Sequence, residues 1–296
     1  MGNNRFSIVW LLGLLFVFVS CKKMERSEEA VAADYHQGKA TIFVDGSFQS
    51  VAQAIADAYM IHYPDTDVKT HVEKEDIAFM NLLEGKTNLV MMSRVLGKKE
   101  IEEYERVLEM EYNPAYFAAD AVVFVVSKNS DRTSISVKEL EKELASEEKN
   151  IIFDGANAGN LNFVAHTLGK RPIDLKFSTL GSNEKVIEDL YKYPTRIGAI
   201  SLGTISRPYG KEAQRLREMV KILPVVKNNK SYLPEPKDMQ NGDYPFTRMV
   251  YMLTSEAVFG IANGIMRFAS DQKGQMVVSK EGLQPYYLFR REVEMR

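Results

Sequence analysis

Three short polar stretches carry the residue types that could hold a small charged or polar solute. They are Gly46-Ser47-Phe48-Gln49-Ser50, Ser93-Arg94, and Asp154-Gly155-Ala156-Asn157-Ala158-Gly159-Asn160. The first and third each open a segment with helical spacing. Backbone N–H groups at a helix N-terminus have no intrahelical partner and sit at the partly positive end of the helix dipole, so they hold an anion readily. Arg94 adds a planar, permanently charged fork that suits an oxyanion. Taken singly, Ser47 and Asn157 are accounted for as helix caps, and Gly46 and Gly159 as turn residues. Three such stretches at strand ends point together to a cleft, with Ser47, Phe48, Gln49, Ser93, Arg94, Asp154, Asn157, Gly159 and Asn160 as candidate ligand contacts.

Catalytic signatures are absent from the sequence. It contains no GxSxG, Walker loop, HExxH or CxxC. His36, His62, His71 and His166 are scattered, with no carboxylate or nucleophile at a relay spacing. The carboxylate clusters Glu73-Lys74-Glu75-Asp76 and Glu100 to Glu111 read as solvated helix faces. Neither a metal site nor a cofactor is expected.

The elements that must position these stretches alternate in type. Ala40 to Asp45 is a short β-branched and aromatic run ended by Gly46, and Val51, Ala54, Ile55, Ala58 and Tyr59 then fall at helical spacing. Strands are expected at 67–72, 88–92, 121–127, 151–153 and 197–202. Helices are expected at 76–83, 98–108, 137–144, 161–168, 184–193 and 256–269. The pattern is lost in a Pro/Asn/Lys-rich connector from Asn228 to Tyr244. Alternation of this kind predicts an α/β protein with mostly parallel sheets covered by helices on both faces. In open sheets of that type the ligand sits beyond the C-terminal strand ends, which is where all three polar stretches fall.

The N-terminus belongs to targeting rather than to the fold. Arg5 precedes an apolar run of about 14 residues, Phe6 to Val19, too short for a comfortable membrane span and suited to a signal-peptide core. Phe18-Val19-Ser20-Cys21 resembles the bacterial lipobox, so residues 1–20 read as a signal peptide and Cys21 as the lipidated residue. Residues 21–38 are polar and charged, a tether between lipid and folded body. Cys21 is the only cysteine of the 296 residues, so the fold must stand without a disulfide. A net charge of -2 carries no basic field of the sort that marks a nucleic-acid binder. The expected location is the cell envelope, facing away from the cytoplasm, and the expected state is monomeric.

At the polar stretches and beyond them, the sequence resembles the phosphate-specific substrate-binding proteins of ABC importers (PstS-like, periplasmic-binding-protein type II fold). Gly46-Ser47 is similar to that family's first phosphate loop, and Asn88 to Arg94 followed by Glu100 resembles its D-I-A-x-S-S-R…E segment. Ala119-Asp120-Ala121-Val122-Val123, Ser182 to Ile187, Ile197-Gly198-Ala199-Ile200, Tyr244-Pro245-Phe246-Thr247-Arg248 and Gly282-Leu283-Gln284-Pro285 resemble further segments in the same order. The resemblance implies two lobes, the first from 39–118 and 226–296, the second from 119–225, joined by crossing strands, with ligand in the cleft and ABC permease subunits as partners. It departs at the second-lobe loop. Where the family has an Arg and then a Ser-Gly-Thr run, this chain has Asp154 and then Ala158-Gly159-Asn160. Two like charges ~4 Å apart repel by about 4 kcal/mol at a surface-like dielectric. Asp154 either opposes a dianion in the cleft or sits outside it, paired with a Lys or Arg. Three readings follow: a solute-binding protein with phosphate or another small oxyanion as ligand, a binding-fold lipoprotein acting as an envelope interaction partner, and, third, an enzyme using cleft carboxylates.

Overall fold

Alternation of buried and exposed residues sets the first strand, β1 (Gln37–Val44), in which Ala40, Ile42 and Val44 turn inward. The computed structural model describes residues 34–287. Cys21, the apolar run before it and most of the tether lie outside the described residues. After β1 a single 3-10 turn (Gly46–Phe48) leads into α1 (Gln49–His62). Then come β2 (Asp65–Val72), α2 (Glu75–Leu83), β3 (Leu89–Met92), α3 (Lys98–Leu108) and the long β4 (Ala115–Ser127). The middle of the chain forms β5 (Ile135–Ser136), α4 (Val137–Glu143), β6 (Ile151–Phe153), α5 (Gly159–Thr167), β7 (Ser178–Thr179), α6 (Asn183–Leu190) and β8 (Ile197–Ser201). It continues with α7 (Gly203–Ser206), α8 (Lys211–Met219), β9 (Val220–Ile222), β10 (Val225–Lys227), β11 (Lys230–Tyr232) and α9 (Pro236–Gln240). The chain returns through β12 (Thr247–Thr254), α10 (Ile261–Ser270), α11 (Gln272–Lys280) and β13 (Gln284–Pro285).

The strands line up as β2-β1-β3-β12-β4-β8-β6-β7, with β9 and β13 also on β4. Both ends of this array are parallel: β1 with β2 and β3, and β6 with β7 and β8. The centre is antiparallel, because β12 runs against β3 and β4, and β4 runs against β8. The expected two-lobed α/β arrangement is thus present, with mixed rather than uniformly parallel sheets. Strand β4 links the halves. Its first part pairs with β12 as far as Ala121, and Val122 to Val125 pair with β8. Burial is continuous from Phe117 to Ser127, as a strand covered on both faces requires.

Three apolar clusters surround this crossing. One gathers Val122 to Val126, Phe153, Val164, Ile187 and Ile200; a second gathers Ile42, Ile55, Tyr59, Met91, Val250 and Phe268; a third gathers Phe79, Leu82, Val90, Met92, Tyr104 and Leu253. The connector read as patternless, which follows β10 directly, holds β11 and α9. β10 pairs with β5, and Met239, Tyr244 and Phe246 pack in the first of these clusters. Where the chain returns toward β12, Phe246 O accepts from Val122 N at 3.0 Å, tying the segment before β12 to β4. Among the described residues no helix is long and apolar enough to cross a membrane.

Candidate functional site

The strand ends that carry the polar stretches meet across the gap between the two halves. At the end of β1, Asp45 caps the 3-10 turn by accepting from Ser47 N at 3.0 Å. The cap expected at Ser47 is therefore supplied by Asp45. Freed from capping, Ser47 Oγ accepts instead from Asn183 Nδ2 at 2.9 Å, a contact 136 residues away in sequence. Phe48 is buried beneath the Arg248 guanidinium, 4.8 Å from ring centroid to Cζ. Gln49 is exposed and lines the mouth of the site.

Arg94 lines a cavity of about 310 Å³, with Ser93, Phe163, Arg248 and Tyr251, but its guanidinium is already engaged. Its Nη1 and Nη2 donate to Glu100 at 3.0 and 2.7 Å, and its Nε lies 2.8 Å from Asp76 Oδ1, off the hydrogen-bonding direction. Burial works against the charge, but these two acids outweigh it and drive the guanidinium pKa upward. Glu100 is correspondingly held below the ordinary carboxylate range, its own burial overcome by Arg94. The Arg94 fork is a structural clamp within its own half. What Arg94 presents to the gap is its backbone N–H, beside that of Ser93.

Glu75 fills that position. Sequence reading put it on a solvated face, yet it is 0% exposed. It opens α2 directly after β2, so its first-turn side chain turns into the gap. One carboxylate oxygen accepts from Ser93 N at 2.7 Å and from Ser93 Oγ at 2.6 Å, and the other from Arg94 N at 3.2 Å. From the opposite half, Gly159 at the start of α5 presses against it. A Cβ at Gly159 would lie 2.6 Å from Glu75 Cδ. Burial and the nearby Asp45 push the Glu75 carboxyl up to about 7, against the pull of Arg248, Ser93 and Arg94.

Asp154 resolves the alternative left open by the sequence, because it lies in the gap and is paired as well. It is 1% exposed; Asn160 Nδ2 donates to its Oδ1 at 3.0 Å, and Lys74 Nζ lies 3.5 Å from its Oδ2. Lys74 also donates to the Asp154 backbone carbonyl at 2.9 Å. Burial and Asp45 raise the Asp154 carboxyl to about 6, with Lys74 and Asn160 opposing. Asn160 Nδ2 donates further to Asn183 Oδ1 at 2.9 Å. Asn157 sits apart from this group. It is exposed on the loop before α5, and the cap position of that helix is held by Ala158 with no side-chain bond.

Beneath the gap, Asp120 of β4 and Arg248 of β12 pin the two crossing segments together. Arg248 Nε and Nη2 donate to Asp120 Oδ2 at 3.0 and 2.8 Å, and Ser201 Oγ and Gly203 N complete its shell. Asp45 Oδ2, Asn160 Oδ1 and Arg248 Nη1 are buried without a hydrogen-bond partner. A cavity of about 230 Å³ opens beside the cluster, lined by Ser47, Gln49, Lys74, Asp154, Ser182 and Asn183. Ser47, Ser93, Asp154, Gly159 and Asn160 thus converge, while Phe48 and the Arg94 side chain support the site from below and Asn157 stands outside it. Asp45, Lys74, Glu75, Asn183 and Arg248 escaped the search for polar turns. The signal available for Asp45 and Glu75 was the one used for the other residues, position just past a strand end.

Comparison with solved structures returns the same architecture. A putative phosphate ABC transporter substrate-binding protein with bound phosphate from Clostridium perfringens matches with a TM-score of 0.69 at 16% identity, covering 84% of this chain and 100% of that one. An ABC-type phosphate transport receptor from Vibrio cholerae matches with 0.63 at 15% identity over 84% and 100%. PstS from Borrelia burgdorferi matches with 0.54 at 20% identity over 84% and 99%. At these identities the likeness is one of fold. No curated protein matches the sequence. Residues 29–271 match the model of the PBP superfamily domain, and the chain belongs to that superfamily.

Proposed function

We propose that the protein is a lipid-anchored solute-binding protein of the cell envelope that closes its two lobes on a small oxyanion and delivers it to the permease of an ABC importer. The observation that carries this reading is the cradle at Ser93 and Arg94. A carboxylate wholly shielded from water accepts three hydrogen bonds there. Donors fixed by the end of a strand cost little to reorganise, which is what selective capture of an oxyanion needs. Phosphate is the first candidate, since two similar folds are named for phosphate transport and one carries phosphate. Cys21 supplies the anchor, residues 22–38 the tether, and the protein acts as a monomer without a cofactor. It is read as a binder rather than an enzyme, because the Asp154 and Glu75 carboxylates are each engaged by hydrogen-bond donors of their own half.

Thermal unfolding with phosphate, sulfate and a panel of small polar solutes tests this. A ligand present at 100-fold its dissociation constant stabilises by ~2.7 kcal/mol, a rise of roughly 5–10 °C for a body of this size. Absence of any shift across the panel contradicts the reading. A second reading, a binding-fold lipoprotein that engages another envelope protein without tight solute binding, draws on the presence of Glu75 in the cradle. A stable protein partner recovered from detergent extracts, with no small molecule in native mass spectrometry, would favour it.

A further inference from the structure

We propose that Glu75 is a resident occupant of the oxyanion cradle, a specificity-determining residue that an incoming oxyanion must displace. This rests on the solute-binding reading and adds how the site chooses its ligand.

Glu75 meets both halves of the molecule as a bound ligand would. Ser93 and Arg94 supply donors from one half, and the bare backbone of Gly159 closes on the carboxylate from the other. No side-chain cation is committed to it. Lys74, on its own element, lies on Asp154 and 3.9 Å from Asp45. Arg94, after β3, is held by Glu100 and Asp76. Arg248, on β12, is bound to Asp120 and keeps Nη1 without a partner. Asp45 at the end of β1 and Asp154 after β6 add like charge. Tyr251 on β12 donates its hydroxyl to the Arg94 carbonyl and so fixes the cradle from behind.

A buried carboxylate held by neutral donors and facing two other acids is easier to dislodge once it carries a proton, because its charge-assisted hydrogen bonds then weaken. The position of its titration, about 7, brings that change into the physiological range. Oxyanion capture is therefore coupled to protonation of Glu75, and an anion that enters takes over its three donors.

The test is calorimetric titration of the full chain with sodium sulfate, a dianion throughout the range, and with phosphate, between pH 8.5 and 6.5. Wild type, Glu75→Gln and Glu75→Ala are compared, with melting curves to establish that each is folded. The restricted range keeps Asp154, which titrates about a unit lower, mostly ionised. Wild-type sulfate affinity is expected to rise about tenfold as pH falls across the window. Glu75→Ala is expected to bind at least about tenfold tighter than wild type at pH 8 with little pH dependence. Glu75→Gln should lose the pH dependence while keeping the side chain's volume. Tight wild-type binding that is flat with pH and no weaker than that of folded Glu75→Ala would overturn the proposal and leave solute capture intact. Failure of all three proteins to bind either anion would overturn both.

Discussion

Arg94 and Glu75 exchange the roles that their side-chain types suggest. A guanidinium beside a polar turn looks like an anion ligand, but a bidentate carboxylate at 2.7–3.0 Å outcompetes any solute for it. Arg94 is buried, but Glu100 and Asp76 each keep 38% of their side chains exposed, so loss of these charge-assisted bonds costs about 1.5–3 kcal/mol. Arg94→Ala is accordingly expected to lower stability in denaturant titrations by about that amount. Any effect on anion affinity should be small by comparison, since the donor at that position is the backbone N–H. Selective loss of binding with unchanged stability would contradict this. Glu75 and Asp154 set the pH response. Both carboxyls are raised in the folded state, from 4.5 to about 7 and from 3.8 to about 6. Between those limits the folded chain holds more protons than the unfolded one, so stability declines as pH rises through the window and levels above it. For Glu75 alone the decline amounts to about 3 kcal/mol. Glu75→Gln should flatten much of it in melting curves taken from pH 4.5 to 8.

At the scale of elements, the site is an assembly of strand ends and the helix starts that follow them. Gly159 is the point where α5 approaches the other half, and Gly159→Ala would force its methyl into the Glu75 carboxylate. We expect that variant to remain folded but to hold Glu75 out of the cradle, with sulfate binding that no longer varies with pH between 8.5 and 6.5. Unaltered pH dependence would show that the close approach does not govern Glu75. Much of this layer was legible beforehand. The runs 98–108 and 151–153 match α3 and β6 to the residue, and the Asp154–Asn160 loop was placed at a strand end as observed. Position in a polar turn at a strand end singled out Ser47, Ser93, Gly159 and Asn160, while periodicity marked the helices and strands around them. Periodicity missed α8 and α11, whose inward faces are narrow (Ala213 and Leu216; Gly274, Gln275 and Val278) among many charged or polar neighbours. Glu75 was illegible for a different reason. A carboxylate among Glu73, Lys74 and Asp76 has the composition of a solvated helix start, and only contacts distant in sequence, to Ser93 and Gly159, reveal that it is buried.

At the scale of the whole molecule, closure is held at two places. Near the site, Lys74 reaches Asp154, Asn183 reaches Ser47, and Asn162 donates to Asp76. At a second place, Arg207 pairs with Glu281 at 2.8 Å and donates to Ser50, while Ser206 Oγ donates to Gly282 O. Arg207 is half exposed although Glu281 is buried, so solvent screens the pair and alone it contributes about 1 kcal/mol. The Lys74–Asp154 tie at the first clasp is less exposed and counts for more. A Lys74→Ala, Arg207→Ala double variant should populate an open form, seen as a larger radius of gyration in small-angle scattering, and added ligand should reverse it. An unchanged radius would assign closure to the crossing strands and the Asp120–Arg248 pair instead.

The most direct test of the oxyanion cradle is a crystal structure of the protein at pH 6.5 with phosphate or sulfate. We expect one oxyanion accepting from Ser93 N, Ser93 Oγ and Arg94 N, with the Glu75 carboxylate turned away. An oxyanion found only elsewhere, with Glu75 still bonded to Ser93, would contradict the account.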